Sequence, residues 1–157
     1  MREIQLTNGA VTIVDDEDYA RLSVYRWRAR YHRRRTWYAM RGWSPTISMH
    51  RYILDCLPGQ EVDHINHDGL DNRRCNLRLC TNSQNQANSQ KRAGATSSRF
   101  KGVGWHIRER RWMARIRHCG QLCWLGYFDT EEEAARAYNA KAQELFGGFA
   151  CLNGVEE

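Results

Sequence analysis

Within residues 61–85, four side chains have the types and spacing of a reactive set. Asp63 and His64 sit side by side at the end of a short predicted strand, Asn76 follows a polar loop, and Asn85 lies on a polar helix. Successive strand residues point to opposite sides, so an adjacent carboxylate and imidazole can divide two jobs, metal holding and proton transfer. Asn85 can bring its amide oxygen to Asp63 if its helix packs across the hairpin. One carboxylate and one amide oxygen form a hard, oxygen-rich site with open positions, which suits one Mg²⁺ or Mn²⁺ better than thiophilic zinc. A neutral imidazole at position 64 can take a proton from water near working pH. Such a set fits the hydrolysis of a phosphodiester. Around it, His67 reads as loop structure or a phosphate contact, and His50 as a helix-terminal or supporting residue with a possible DNA role. Asp71-Asn72 reads as a turn rather than a metal site.

The elements that must position these groups are short. Residues 61–62 and 77–79 are strand candidates around the polar loop, and Thr81 or Asn82 can cap a helix running to about residue 89. Upstream, Asn8-Gly9 between the apolar runs 4–7 and 10–14 predicts a hairpin, because both residues tolerate positive φ. Residues 15–22 form a helix candidate with acids in its first turn. Residues 27–31 and 37–40 could be strands flanking a turn at 33–35, and 50–54 a short helix stopped by Pro58-Gly59. The small, polar stretch 91–98 reads as a linker. After it come three strand candidates, 99–105, 112–118 and 122–128, joined by turns at 108–111 and Cys119-Gly120. Thr130 and Glu133 have capping-box spacing, and Ala134, Ala137, Tyr138, Ala142 and Leu145 recur as an apolar helical stripe that packs on the sheet.

The chain has 157 residues, 41% hydrophobic and 27% charged, with a net charge of +6. That composition predicts a folded protein. No run approaches the ~18 apolar residues of a membrane helix, and the start lacks the apolar stretch of a secretory leader. An intracellular protein is expected, with no membrane association and no obligate protein partner. The six cysteines form no C-x₂-C pair, so reduced thiols are expected rather than disulfides, and zinc on Cys75/Cys80 or Cys119/Cys123 is the lesser possibility. Charge is segregated. Residues 26–41 hold seven arginines and no acid, residues 99–128 hold seven basic residues against Glu109, and residues 129–157 hold seven acids against Arg136 and Lys141. A solvated surface would mix the signs, so this segregation points to a polyanion-binding face.

Two motif sets carry resemblances. Met49-His50-Arg51-Tyr52-Ile53, then Val62-Asp63-His64-Ile65-Asn66, Leu70-Asp71-Asn72-Arg73, Asn76-Leu77-Arg78 and Thr81-Asn82-Ser83-Gln84-Asn85 together resemble the HNH family of homing endonucleases. That resemblance implies a ββα-metal site in which His64 is the general base, Asp63 and Asn85 hold the metal, and Asn76 braces the loop and helps orient the base. Residues 99–153 resemble the ethylene-response-factor (Apetala-type) DNA-binding domain through Lys101-Gly102-Val103, Trp112-Met113-Ala114-Arg115-Ile116-Arg117, Trp124-Leu125-Gly126-Tyr127-Phe128, Ala134-Ala135-Arg136-Ala137-Tyr138 and Leu152-Asn153. Free-standing HNH endonucleases of phages carry this pairing. Three groove-contact positions fall at Gly104, Leu122 and Arg115, where the plant proteins have Arg, Arg and Glu, so the plant target sequence is not implied.

The expectation is an α+β protein. A β-rich basic segment (1–48) leads to a ββα-metal nuclease core (49–90), a linker (91–98) and a C-terminal three-stranded antiparallel sheet packed on one helix (99–157). It reads as a metal-dependent, site-selective endonuclease on double-stranded DNA that nicks one strand, or else as a DNA-binding regulator that keeps the nuclease fold without turnover. An RNA-binding protein is the weaker reading, because no single-strand stacking motif is visible. Lys101, Arg108, Arg110, Arg115, Arg117 and Trp124 are the expected DNA contacts. Arg33, Arg34 and Arg35 are either phosphate contacts or a solvated turn. Trp112, Ala114 and Ile116 alternate with the sheet arginines and belong to the core.

Overall fold

The computed structural model describes residues 1–32, 36–91, 94 and 96–155. The chain is an α+β protein divided into two compact units, Met1–Asn85 and Gln86–Glu157.

In the first unit, strands β1 (Arg2–Gln5) and β2 (Val11–Val14) form an antiparallel hairpin. Its connection is longer than a two-residue turn, and only Gly9 takes positive φ, at +83°. Asn8 is used differently. Its side chain donates to Ala29 O and accepts from Ala29 N, both at 2.9 Å, and so imitates a neighbouring strand along the edge of a second sheet. That sheet is antiparallel, in the order β3 (Arg28–Tyr31), β4 (Trp37–Arg41) and β5 (Ile47–Ser48). Between the hairpin and the sheet lies helix α1 (Asp16–Ser23), with three acids in its first turn. After β5 come helix α2 (Met49–Ile53), then the antiparallel pair β6 (Glu61–His64) and β7 (Leu77–Cys80), then helix α3 (Asn82–Ala87), whose last two residues belong to the second unit.

Residues 1–48 and 49–85 share one core. The second stretch contributes only Met49, Ile53, Val62 and Leu77 as buried apolar side chains, and these pack with Val14, Leu22, Trp27 and Ala39. So few apolar groups cannot close a core by themselves. Two polar anchors reinforce the union. A parallel bridge joins Ile13 to Asp71, with Ile13 N donating to Leu70 O and Asn72 N to Ile13 O. Asp18, buried on α1, takes Arg74 Nε at 2.8 Å and Arg74 Nη2 at 2.9 Å, and also accepts from Arg21. Arg74 opens the 3-10 turn that ends in Asn76, so α1 fixes one end of the loop between β6 and β7.

In the second unit, β8 (Val103–His106), β9 (Arg111–His118) and β10 (Gln121–Phe128) form an antiparallel sheet in sequence order, followed by helix α4 (Glu131–Phe146). Cys119 and Gly120 both have positive φ, +48° and +78°, as the tight β9–β10 turn requires. The capping box is formed: Glu133 N donates to Thr130 Oγ1, and Thr130 N donates to Glu133 Oε2. Ala134, Ala135, Tyr138 and Ala142 are buried, as are Ala114 and Ile116 on the sheet, while Trp112 is half-buried. The first strand starts four residues later than the pattern at Arg99 suggests. Residues 99–102 turn instead, with Gly102 at φ +76° and its carbonyl accepting Arg115 N at 2.9 Å. Any Cβ at Gly102 would overlap the Tyr138 ring.

Candidate active site and nucleic-acid interface

On β6 the backbone alternation separates Asp63 from His64, and cross-strand register puts Arg78 opposite the first and Leu77 opposite the second. Both side chains are buried. Asp63 Oδ2 accepts from Arg78 Nε at 2.9 Å and from Arg78 Nη2 at 2.8 Å. His64 Nε2 stands 3.2 Å from Asn72 Oδ1.

The polarity of that last contact follows from its neighbours. Thr12 Oγ1 lies 2.6 Å from Leu70 O, a carbonyl that can only accept, so the Thr12 hydroxyl proton is committed there. Thr12 can then only accept from Asn72 at 2.8 Å, which assigns that side of the amide as NH₂. The amide oxygen therefore faces His64, and Nε2 must donate to it. The basic lone pair of the neutral ring is left on Nδ1. Burial lowers the pKa of His64, and this outweighs the opposing pull of the Asn72 hydrogen bond and of Asp63, Asp68 and Asp71. The ring is thus held neutral in one tautomer. Asn72 is fully buried, and Thr12 with it.

The ring of His64 stands 5.5 Å from Tyr38 and 5.0 Å from His50, edge-on to the latter. Burial, followed by repulsion from His64, Arg51 and His32, pushes the pKa of His50 down to about 3. His50 Nδ1 is buried without a hydrogen-bond partner. Gly69 lets the loop lie against β4, where any Cβ would strike Trp37 O and the Tyr38 ring.

Asn76 braces the loop from below. Its Oδ1 accepts Asn66 N at 3.0 Å, and its Nδ2 donates to Asp71 O at 2.8 Å. Asp71 is held by Arg73 and Asn66, and the Arg73 guanidinium beside it keeps its carboxyl below the usual range. His67 takes φ +67° within the loop. Asn85 is buried on α3, whose first turn is closed reciprocally by Thr81 and Gln84. The structure thus gathers His64, Asn72 and Asn76 into one hydrogen-bonded loop and pairs Asp63 with Arg78. Among the described residues no three His, Cys, Asp or Glu side chains cluster to hold a metal ion.

On the C-terminal sheet, register and alternation put Arg111, Met113, Arg115 and Arg117 on the face away from Ala114 and Ile116. Trp124, opposite Arg115, is half exposed on that outer face and packs edge-on to Tyr127 at 4.8 Å, which in turn meets His106 at 5.1 Å. Arg111 is paired with Asp129, while Arg115 and Arg117 are exposed. Arg108 and Arg110 are exposed in the β8–β9 connection. Lys101 is half-buried. Its ammonium donates to Ala87 O and Ser89 O, both at 2.6 Å, and burial lowers its pKa. Arg33, Arg34 and Arg35 lie outside the described residues.

Thr12, Tyr38, Asn72 and Arg78 were not singled out for function by the sequence pattern. Asn72 read as a turn residue, and nothing local marks Thr12, which lies 60 positions away, as its partner.

Comparison with known proteins places names beside this geometry. Residues 56–87 match the family model described as HNH endonuclease. The chain is 37% identical over 116 residues to an uncharacterized HNH endonuclease of Acanthamoeba polyphaga mimivirus, covering 70% of this chain and 59% of that protein. It is 38% identical over 73 residues to an AP2-like ethylene-responsive transcription factor of Arabidopsis thaliana, covering 46% of this chain and 15% of that protein. A dehydration-responsive element-binding protein of Oryza sativa subsp. japonica is 44% identical over 57 residues, covering 34% of this chain and 24% of that protein. The chain therefore spans about three fifths of the viral relative and less than a quarter of these plant ones. No solved structure matches. No helix among the described residues is long and apolar enough to cross a membrane.

Proposed function

We propose that this chain is a divalent-metal-dependent DNA endonuclease in which His64 is the general base. The observation that carries the reading is the hydrogen-bonded series from Leu70 O through Thr12 and Asn72 to His64 Nε2. It presets a neutral imidazole with its lone pair on Nδ1, the state a water-activating base needs at neutral pH. His64 Nδ1 takes the proton from the attacking water, and Asn72 stabilises the imidazolium that forms by accepting a hydrogen bond from its Nε2–H.

Asp63 and Asn85 offer a carboxylate and an amide oxygen, donors whose hardness fits Mg²⁺ or Mn²⁺. These two residues would hold the ion, with Arg78 already gripping one oxygen of Asp63. Such an ion, when bound, supplies positive charge to the phosphate and to the departing 3′ oxygen. Arg115, Arg117 and Trp124 with Arg108 and Arg110 form the basic, aromatic face that docks duplex DNA.

The test is supercoiled plasmid incubated with the full chain and Mg²⁺ or Mn²⁺. Open circles with 5′-phosphate and 3′-hydroxyl ends are expected first, because the sequence holds a single Asp63–His64–Asn85 set. Immediate linear product, at a rate rising with the square of protein concentration, would favour an obligate dimer. A second reading rests on Arg78. If its guanidinium keeps Asp63 from a cation, the chain binds DNA without cutting, and the plasmid stays supercoiled with either metal.

Two further results are expected. Asn72→Leu should slow single-turnover cleavage by about 10²-fold through loss of the tautomer. Asn72→Asp keeps an acceptor for Nε2–H but loses the NH₂ group that Thr12 accepts, so it should recover only part of that loss. Equal rates for the leucine variant and the wild type would remove Asn72 from the mechanism. Changing Arg115 and Arg117 together to alanine should lower the salt dependence of duplex binding by about 1.8 in log–log slope. Both side chains are exposed, so the melting temperature should hold.

A further inference from the structure

The arginine-rich, acid-free stretch 26–41 has no part in the chemistry above. On the β3–β4 pair, Arg28 lies opposite Met40 and Arg30 opposite Tyr38, so these four share one face. Ala29 and Ala39 are buried on the other face. Tyr38 is the residue whose ring approaches His64. The Arg28–Arg30 face therefore continues from the neighbourhood of the candidate base. Arg30 is exposed, with no ion pair among the described residues.

At the far end of this face stands Trp43, in the β4–β5 connection, with 84% of its surface exposed. Its indole is not loose. The Arg28 guanidinium lies over the ring at 4.2 Å and also donates to Gly42 O at 3.2 Å. Thr46 Oγ1 donates to Trp43 O at 3.0 Å. A tryptophan so held, with one ring face covered by an arginine and most of its surface in water, adds almost nothing to the core. Its form and charge suit a base stack beside phosphates.

We infer that the face from Tyr38 through Arg30 and Arg28 to Trp43 is a second docking track for duplex DNA, beside the segment being cut. Arg28 and Arg30 meet backbone phosphates, and Trp43 stacks on a base at a locally opened step. The inference rests on the proposal that DNA is the substrate at His64. Charge complementarity selects the occupant: a stretch with seven arginines and no acid repels basic surfaces and attracts a polyanion. The reach fits too. Five residues of chain from Tyr38 to Trp43 span at most ~17 Å, or about five base pairs at ~3.4 Å each.

The experiment uses the full chain with a mixed-sequence duplex DNA in which 5-iodouracil replaces thymine, irradiated in EDTA and digested for peptide mapping. A cross-linked peptide containing Trp43 is expected. Trp43→Ala should weaken duplex binding about tenfold, and Trp43→Phe should recover most of that loss. The melting temperature should be unchanged, because the indole is exposed. Arg28→Ala with Arg30→Ala should reduce the log–log salt slope by about 1.8. Cross-links confined to other residues, with wild-type affinity in Trp43→Ala, overturn the inference and leave the nuclease proposal standing. Cross-linking at Trp43 with no cutting of the same duplex in a parallel reaction with Mg²⁺ keeps the track as a DNA-binding surface and removes the nuclease proposal. If the wild-type chain fails to bind the duplex, both fall.

Discussion

His64→Ala should cut DNA ~10²–10⁴-fold more slowly than the wild type, the usual cost of losing a general base, while binding it almost as well. The two quantities separate because different groups carry them. Affinity comes mainly from cationic side chains that neutralise phosphates, and the neutral, buried His64 adds nothing to that sum. Rate depends on one proton leaving water, and the Asn72–Thr12 series leaves the ring a single basic position, Nδ1. Single-turnover cleavage and fluorescence anisotropy on the same duplex give the comparison. The ring also packs on Tyr38 and His50, so a melting curve must accompany the rates. Near-normal cleavage by a folded His64→Ala protein would end the assignment.

The largest stability effect is expected at Asp18. Asp18→Ala should destabilise the first unit by ~2–3 kcal/mol, read as a lower urea midpoint. Removing one partner of a buried ion pair typically costs ~3–5 kcal/mol, and the value is discounted here for partial solvation. Arg21 and Arg74 stay 35% and 42% exposed and recover some hydration. Burial pulls the carboxyl of Asp18 up, yet hydrogen bonds from Arg74 and Arg21 outweigh it and hold the pKa below 3.8. A carboxylate lowered on folding stabilises above its unfolded pKa, and that stability is lost as the pH falls through the folded value. His50 adds an earlier stage. Its pKa falls from 6.5 to about 3 on folding, so between those values the unfolded chain binds more protons and stability drops as acid is added. The urea midpoint should therefore begin to fall below about pH 6.5 and fall further below about pH 4. His50→Phe should shrink the first stage, leaving the part that His64, whose pKa burial also lowers, contributes, and should not alter the second.

Much of this architecture was readable because its signals are local. Asp63 and His64 stand out by adjacency at the end of a strand, Thr130 and Glu133 by spacing, and Cys119-Gly120 by backbone tolerance, and the strand, the capping box and the turn all form. Contacts between distant residues were not readable. Thr12 determines the tautomer of His64 only because β2 bonds to the loop through Ile13, a pairing no periodicity encodes. Asn8 carries a strong turn signal, yet its amide serves Ala29 on another sheet. Lys101 matches a DNA-contact motif, but the turn at Gly102 accompanies a side chain whose ammonium meets the carbonyls of Ala87 and Ser89. In each case the partner is remote in sequence, beyond the reach of any local rule.

The bond between β2 and the loop also bears on modular exchange. Residues 56–87, the stretch that matches the HNH endonuclease model, include Asp63, His64, Asn76 and Asn85, but Thr12, Asp18 and Tyr38 stay behind when that stretch is moved alone. A recombination or engineering event that grafted it onto a foreign scaffold would deliver a histidine with no set tautomer and an Arg74 with no buried acid. A graft should therefore carry Met1 through the end of α3, and chimeras with new DNA-reading modules should be joined after residue 87.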